Sequence, residues 1–484
     1  MANQTPEKWS TSGVDLFLNL GGERRRGARR RIEEGLREAI RSGRLGYGAK
    51  LPPTRALARD LGVSRGTVMQ AYAQLAAEGW ISGRRGSATR VAVRSEQLRG
   101  TEPARRRPTR WRFDFRAGRP DPSSFPRREW LRALRHALPR TSDEAFGYGP
   151  PEGQFELRVE LAAYLARARG LRVDAEQLMI TAGFTQSLGL LARALAAAGV
   201  RRVAMEEPSM NLHRAIVRAA GQELVLLAVD EHGARVDELE RARVGAVVLT
   251  PNRQHPTGVL LSPARRATLL DWARATGAIV IEDDYDGEFR YESRPVGPLQ
   301  GLEPAVVAYG GTASKTLAPG LRLGWLALPE SVRPAVVHEK ELADWHSSAL
   351  EQIALAELLR SGAYDRHVRK MRLHYRRRRD RLVEALQDRS PGLEIAGTAA
   401  GLNLLIPLPD AASEQTVIAA AGAASIGVGG LIHDEHYERE PRAGLIVGYA
   451  AAHEHAFEQG VSELASIISG LDIAARGCTV GGTG

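Results

Sequence analysis

The chain has almost no cysteine and no long apolar run. Cys478 is the only cysteine among 484 residues, which excludes an internal disulfide. No run of apolar residues approaches the roughly 20 that a membrane-spanning helix needs. The first residues also lack the basic-then-apolar pattern of a secretory signal. We therefore expect a cytoplasmic protein that has no membrane partner.

Acidic residues are scarce in the first quarter of the chain. Residues 1–112 contain 24 Lys and Arg against 10 Asp and Glu, whereas residues 113–484 contain 43 against 47. Such asymmetry indicates a module that binds a polyanion, joined to a neutral or acidic module. A general preference of the chain for Arg over Lys is the alternative explanation. The chain is also too long for one ordinary domain.

The pattern of apolar residues predicts three helices in this basic quarter. The first lies within 24–45, the second opens at 51–55, and a turn at 62–63 leads to the third. Two helices joined by a short Gly-containing turn form a helix-turn-helix, whose second helix enters the major groove of DNA by its N-terminal residues. Ordinary solvated helices with an Arg-rich surface are the alternative. The residues that would meet DNA, beginning with a good N-cap, are Ser64, Arg65, Gly66 and Thr67.

Short strands at 80–82 and 88–91, around the basic turn 83–86, add a predicted β-wing. The motif residues are Leu51-Pro52-Pro53-Thr54-Arg55, Leu61-Gly62-Val63-Ser64-Arg65-Gly66-Thr67-Val68 and Glu78-Gly79-Trp80. This pattern resembles the winged helix of the GntR regulators, which implies double-stranded DNA as a partner. The resemblance implies DNA contacts from Arg55, Arg65 and Thr67 and, in the wing, from Arg85 and Gly86. Ser87-Ala88-Thr89 departs from the family, where a second Gly is usual, so we expect a different wing tip.

Two segments have compositions that cannot bury a core. Residues 92–112 contain the run Arg105-Arg106-Arg107 and few apolar residues, so we expect a mobile basic linker. The linker either contacts DNA phosphates without sequence preference or acts as a solvated spacer. Residues 471–484 form a Gly-rich tail that we expect to be disordered. The predicted domains are therefore residues 1–91 and residues 113–470.

After residue 113, short β-branched runs alternate with helical patterns such as Pro263–Thr276. The runs are Arg202–Met205, Ala246–Leu249, Ala278–Ile281 and Ala305–Ala308. This alternation predicts an α/β fold with a mainly parallel sheet and helices on both faces. Ligands of such sheets bind beyond the carboxyl ends of the strands. Thr250, Asp283 and Lys315 each follow one of these runs, so we expect them to share a site.

The residues at these strand ends match the chemical needs of pyridoxal 5′-phosphate (PLP). Lys315 supplies an amine for a Schiff base, and Asp283 supplies a carboxylate that keeps the pyridine nitrogen protonated. Tyr285 can bond to the phenolic oxygen of the ring. Each signal is weak alone, because most lysines lie on solvated surfaces. Hydroxyls, a cation and a helix start for the phosphate are offered by Thr312, Ser314, Arg322 and Gly183-Phe184-Thr185-Gln186.

In this order, the motifs resemble the fold-type I, aspartate aminotransferase-like PLP enzymes over roughly residues 113–470, including a smaller C-terminal α/β subdomain. The whole chain resembles the MocR/GabR subfamily of GntR regulators, in strings such as 250–258 and 282–291. The resemblance implies Lys315 as the Schiff-base lysine. It also implies that Tyr148 reaches the phosphate from a neighbouring subunit, in a homodimer with swapped winged helices. The other implied PLP contacts are Asp283, Tyr285, Phe184, Thr185, Thr312, Ser314 and Arg322.

Three positions depart from the aminotransferase pattern. Those enzymes hold the substrate carboxylate with an Arg two residues before a Gly, and here Ile446 precedes Gly448. Met210 stands where an aromatic residue is expected to stack near the ring, and His255 stands where an Asn usually precedes Pro-Thr-Gly. Loss of the carboxylate clamp argues against transamination of ordinary amino acids.

The favoured interpretation is a transcriptional regulator that senses PLP itself, as PdxR-like regulators of PLP synthesis are thought to do. A regulator that responds to an amino acid or amine such as GABA is one alternative. A true aminotransferase with a DNA-binding appendage is another. A purely dimerising C-terminal domain is disfavoured, because a scaffold has no need for Lys315, Asp283, Tyr285 and Arg322. No metal ligand set is expected.

Overall fold

A computed structural model of the chain describes residues 27–83, 88–93, 111–291 and 296–470. The described residues form two compact units that divide between Thr109 and Arg110. The expectations for Arg85 and Gly86 in the wing, for residues 94–110 of the linker and for the tail from residue 471 lie outside the described residues. No helix among the described residues is long and apolar enough to cross a membrane.

The N-terminal unit packs three helices against a two-stranded antiparallel sheet. Its elements are α1 Ala28–Arg41, α2 Thr54–Leu61, α3 Arg65–Ala77, β1 Ile81–Ser82 and β2 Arg90–Val91. Gly62 ends α2 in the left-handed region, with φ 63°. The apolar sides of the helices meet in a core that includes Ile32, Leu36, Val68 and Leu75, all fully buried. These are the elements of a winged helix, as predicted.

The C-terminal unit contains many more elements. Its helices are α4 Arg127–Ala137, α5 Phe155–Arg169, α6 Phe184–Ala197, α7 Asn211–Ala219, α8 Leu239–Ala242, α9 Pro263–Thr276, α10 Arg333–Asp344, α11 Ala349–Arg360, α12 Ala363–Arg389, α13 Ala411–Ala423 and α14 Glu454–Ser469. Its strands are β3 Phe113–Asp114, β4 Leu178–Thr181, β5 Arg202–Glu207, β6 Glu223–Asp230, β7 Gly233–Ala234, β8 Ala246–Leu249, β9 Ile279–Asp283, β10 Val307–Thr312, β11 Gly324–Ala327, β12 Asn403–Pro407, β13 Ile426–Gly427, β14 Gly429–Gly430 and β15 Gly444–Gly448.

The main sheet has eight strands in the order β4-β11-β10-β9-β8-β5-β6-β7. The neighbouring strands from β10 to β6 run parallel, whereas β11 and β7 run antiparallel to their neighbours. Alternate residues of the strands contact helices on opposite faces. Leu178 and Ile180 pack towards α5 and α11, while Met179 between them packs towards α6 and α10. The predicted mainly parallel sheet with helices on both faces is thereby confirmed.

A smaller three-stranded antiparallel sheet, β12-β15-β14, carries α12, α13 and α14 around a second core. The short strand β3 pairs in parallel with β13, and the Arg112 N–H donates to Ser425 O at 2.9 Å. Residues 111 and 112, which were expected to end the linker, therefore pack on the C-terminal unit.

Candidate functional site

The carboxyl ends of the parallel strands open into a cavity of about 780 Å³. Asp283 and Thr312 are the last residues of β9 and β10, Thr250 directly follows β8, and Lys315 lies three residues beyond β10. All four line the cavity. The strand order therefore brings together the residues that the sequence placed at strand ends.

Asp283 presents an unsatisfied carboxylate to this cavity. Its side chain is buried, and its Oδ1 atom has no hydrogen-bond partner among the described residues. Burial, together with the neighbouring Asp284 carboxylate, holds the pKa of Asp283 well above its usual range, and the Lys315 charge opposes this. Asp284 itself is neutralised by Arg169, with Nη2 to Oδ2 at 2.5 Å. A buried acceptor without a donor fits a ligand N–H such as that of a protonated pyridine ring.

Lys315 extends into the cavity, where its Nζ donates to the Gly118 carbonyl oxygen at 2.6 Å. Gly118 has φ 68°, a conformation that favours glycine, and a Cβ at this position would lie 3.4 Å from Nζ. Burial lowers the pKa of Lys315, although Asp286 and Asp283 act in the opposite direction. A lowered pKa makes the neutral amine, which reacts with aldehydes, more available near neutrality.

Tyr285 is oriented by Arg253, a residue that the sequence analysis did not single out. The buried Arg253 donates from Nη1 to Tyr285 Oη at 2.8 Å and to Asp286 Oδ2 at 3.1 Å. Its Nη2 donates to Asn403 O at 2.6 Å, which anchors the guanidinium to the smaller sheet. Because the guanidinium donates to Oη, the phenol proton remains available for an acceptor in the cavity.

One wall of the cavity has the features of a phosphate cradle. Gly183, with φ 98°, precedes the start of α6, where Phe184 and Thr185 line the cavity. A Cβ on Gly324 would lie 2.7 Å from Gly183 Cα, so a side chain there would separate these two segments. Helix starts offer backbone N–H groups to anions. The nearby polar side chains that line the cavity are Thr312, Ser314 and Arg322.

Four histidines also line the cavity, and sequence reasoning singled out only one of them, His255. His213 lies with its ring centroid 5.2 Å from that of Phe184, and His436 lies 5.3 Å from His255. Burial lowers the pKa of His213 to about 4, with a smaller contribution from the charge of Lys315. Burial also lowers the pKa of His255 and of His436, so this wall of the cavity carries neutral imidazoles.

The three positions that differ from the aminotransferase pattern have different surroundings. Ile446 is fully buried in β15, packs with Leu405 and Leu431, and is absent from the described residues that line the cavity. Met210 and His255 do line the cavity. Of the three positions, therefore, only the one that lacks the expected Arg lies in an apolar cluster away from the cavity.

Tyr148 lies apart from the other predicted cofactor residues. Its side chain is 88% exposed, its ring centroid is 5.7 Å from that of Trp345, and it is absent from the described lining of the cavity. Within one subunit the structure therefore does not bring Tyr148 to the site.

The predicted DNA-contacting residues lie at the start of α3 and in α2. Arg55 and Arg65 are exposed and make no hydrogen bond or ion pair with any described residue. The hydroxyls of Ser64 and Thr67 lie 2.8 Å apart, and the Thr67 N–H donates to Ser64 Oγ at 3.1 Å. The Ser64 hydroxyl therefore caps α3, while the arginines remain available for a ligand. Gly66 is exposed beside them.

Among the described residues, no group of three or more His, Cys, Asp or Glu side chains could hold a metal ion. The cavity thus offers a carboxylate, an amine, a phenol and an anion-binding wall, a donor set that fits PLP rather than a metal.

Comparisons with known proteins agree with this division. Residues 28–91 match the family described as bacterial regulatory proteins, gntR family, and residues 118–436 match aminotransferase class I and II. The chain is 31% identical over 465 residues to the probable rhizopine catabolism regulatory protein MocR of Rhizobium meliloti, covering 92% of this chain and 94% of that protein. It is also 31% identical over 446 residues to the pyridoxine biosynthesis transcriptional regulator PdxR of Corynebacterium glutamicum, covering 90% and 95%. An archaeal alanine:glyoxylate aminotransferase structure superposes with a TM-score of 0.67 at 27% identity, covering 74% of this chain and 91% of that one.

A winged helix joined to an aminotransferase domain with a PLP site defines a class of DNA-binding transcriptional regulators. The chain belongs to the MocR-type subfamily of the GntR regulators, which confirms the resemblance found in the sequence. PLP is the cofactor that its C-terminal domain implies.

Proposed function

We propose that this regulator senses PLP: cofactor bound in the C-terminal cavity changes the affinity of the winged helix for operator DNA. In this proposal Lys315 holds the cofactor aldehyde, Asp283 accepts from the pyridine nitrogen and Tyr285 donates to the phenolic oxygen. When bound, PLP supplies an electron sink for the chemistry of amines. The phosphate is bound by Phe184, Thr185, Thr312, Ser314 and Arg322.

The observation that carries the proposal is the contrast between two parts of the C-terminal unit. Lys315, Asp283 and Tyr285 line one cavity, and Asp283 Oδ1 has no hydrogen-bond partner among the described residues, which supports PLP as the ligand. The position that would clamp an amino acid carboxylate is Ile446, buried among Leu405 and Leu431. A site that retains the cofactor groups and lacks the clamp is suited to binding PLP as a signal.

The proposed assembly is a homodimer. Tyr148, exposed next to Trp345, would contribute to the phosphate site as the partner subunit's Tyr148. The exposed aromatic residues Phe146 and Phe155 lie close to it in the chain and support a covered surface in this region.

The test is a titration of operator binding with and without PLP. The probe is a fluorescent duplex selected by the protein from a random pool, and the readout is anisotropy. We expect PLP to change operator affinity in the wild type and to have little effect on Lys315→Ala. Because coupling is reciprocal, the operator should change PLP affinity by the same factor. An identical PLP response in the wild type and in Lys315→Ala would contradict the proposal.

A second candidate effector is an amine that carries an anionic group. Arg119 lines the cavity, its side chain is 54% exposed, and its nearest carboxylate among the described residues is Asp114 at 4.0 Å. This guanidinium could hold a carboxylate or sulfonate that Ile446 cannot.

Visible absorption spectra of the PLP-loaded protein separate these functions. A spectrum that no amine changes supports PLP as the signal. A shift caused by one anionic amine, and lost in Arg119→Gln, supports the second candidate. Accumulation of a keto product would instead assign aminotransferase turnover to the domain.

A further inference from the structure

The solvent side of α12 carries a row of positive charge. Within its 27 residues, ten are Lys or Arg and four are Asp or Glu. Arg366, Lys370 and Arg377 recur at four- and seven-residue spacing, so they lie along one side of the helix. Arg369 and Arg376 lie beside them, and all five side chains are exposed. These five residues form what we call the α12 basic face.

The orientation of this face is fixed by the opposite side of α12. Tyr364, Met371, Tyr375 and Leu382 are buried there at helical spacing. The Tyr375 hydroxyl accepts from the Asp121 N–H at 3.1 Å, which ties the middle of the helix to a neighbouring loop. With one side of the helix held in the core, the basic face points steadily to solvent.

Most cations of the face lack an acidic partner. Arg369, Lys370 and Arg377 make no hydrogen bond or ion pair with any described residue. Asp365, at the start of the same helix, is instead paired with Arg167 at 2.9 Å. Asp380 lies 3.8 Å from Arg376 and 3.4 Å from Arg379. The charge of the face is therefore largely uncompensated.

This concentration of charge is not a property of the domain as a whole. Residues 113–484 contain 43 Lys and Arg against 47 Asp and Glu, so the surrounding composition is slightly acidic. A second basic segment lies in the same unit: Arg127 and Arg128 begin α4, and both are exposed. Uncompensated cations gathered on one rigid surface indicate an anionic partner.

We propose that the α12 basic face binds the phosphate backbone of duplex DNA outside the segment that the winged helix recognises. The row from Arg366 to Arg377 spans about 16 Å at 1.5 Å per residue, and duplex DNA offers one charge per about 1.7 Å of axis. Leu373, 56% exposed, occupies the middle of the row, where no amide or aromatic side chain reads a base. We expect the contact to be mainly electrostatic, as contacts between uncompensated cations and phosphates are. The proposal rests on the proposed function, since it needs DNA bound by the same molecule.

The experiment compares two triple variants of the full chain, which remove equal charge. R369Q/K370Q/R377Q removes unpaired cations of the face. R193Q/R274Q/R333Q removes the exposed Arg193 and Arg274 and the half-buried Arg333, which pair with acidic residues elsewhere. Kd is measured by anisotropy across a salt series, on a duplex trimmed to the operator and on one extended by flanking sequence. Unchanged thermal midpoints and PLP absorption show that both variants are folded.

On the extended duplex, we expect the slope of log Kd against log salt to fall by about 2–3 in the face variant, near 0.9 per lost phosphate contact. The control variant and the trimmed duplex should show much smaller changes. Equal changes in the two triple variants would reduce the effect to net charge and overturn the proposal. So would an unchanged slope together with loss of binding to polyglutamate, which would assign the face to an acidic polypeptide. The PLP response of operator binding, retained in the face variant, tests the proposed function separately.

Discussion

Arg253 Nη1 and Tyr285 Oη lie 2.8 Å apart, and the same guanidinium also binds Asp286 and the Asn403 carbonyl. One buried cation thus links the loop after β8, the loop after β9 and the smaller sheet. The phenol is thereby held as a donor towards the cavity.

Two substitutions separate the structural role of this cation from the role of the phenol. Tyr285→Phe removes one donor to the cofactor and leaves Asp286 paired, so we expect PLP affinity to fall about 10-fold with little loss of stability. Arg253→Met leaves Asp286 buried and unpaired, so we expect the free energy of unfolding to fall by about 3–5 kcal/mol. PLP titration and denaturant unfolding measure these effects. Equal losses of stability in both variants would contradict this assignment.

The sequence was sufficient to find the site residues that follow the carboxyl ends of the strands. Lys315 and Asp283 follow apolar runs, and parallel strands present their carboxyl ends at one edge, so their meeting was predictable. The orientation of Arg253 was not, because its partner Asn403 lies 150 residues further along the chain. Trp111 was also missed: it lines the cavity although composition placed it in the linker. Side chains contributed by distant or irregular segments leave no periodic signal.

The surroundings of a residue that differs from the family pattern could not be predicted from the sequence either. Ile446 was identified as a replacement for an Arg, yet only the structure shows that it lies in an apolar cluster with Leu405 and Leu431. The hydroxyls of Ser64 and Thr67 were assigned to DNA from their position at the start of the recognition helix, and they bond to each other in the helix cap. Motif identity therefore located these positions but did not determine what their side chains contact.

The neutral His213 gives a pH dependence with a definite sign. Its folded pKa of about 4 lies below the unfolded value of about 6.5, so the unfolded chain takes up a proton between these values and the folded chain does not. Its contribution to stability is complete above about pH 6.5 and is lost as the pH falls towards 4. Without PLP, we expect His213→Gln to be less sensitive to acid than the wild type, by about 2 kcal/mol at pH 5 relative to pH 8.

Chemical denaturation at pH 8 and pH 5 measures this difference. Glu282 and Glu288, whose pKa burial raises to about 7, contribute with the opposite sign in both proteins and cancel in the comparison. Identical differences between the two pH values in the wild type and in His213→Gln would show that His213 titrates normally in the folded protein.

Ser64 and Arg65 are neighbours with different predicted roles. Ser64→Ala removes the cap of α3, so we expect the N-terminal unit to lose about 1 kcal/mol of stability. Arg65→Ala leaves the cap in place and should weaken operator binding by about 1–3 kcal/mol if the guanidinium reads a base. Thermal unfolding and anisotropy with operator and scrambled duplexes distinguish the two. Equal weakening on both duplexes would make Arg65 a phosphate contact.

Restoring the missing arginine is the most direct test of how far the site has moved from catalysis. Ile446 is fully buried, so Ile446→Arg places a guanidinium among Leu405 and Leu431. We expect this to cost about 3–5 kcal/mol of stability, whereas the apolar control Ile446→Met should cost less than about 1.5 kcal/mol.

Asp434 is the candidate partner of the introduced guanidinium. Gly429 pairs with Ile446 across the smaller sheet, and a Cβ on Gly429 would lie 2.6 Å from Asp434 Oδ2. An arginine that reached Asp434 would be partly compensated, and the measured loss would then be small. Even in that case the guanidinium would be paired with Asp434 and would not bind a substrate carboxylate, so we expect no keto product from a panel of amino acids. A stable Ile446→Arg variant that transaminates would show instead that a single residue separates this regulator from an enzyme.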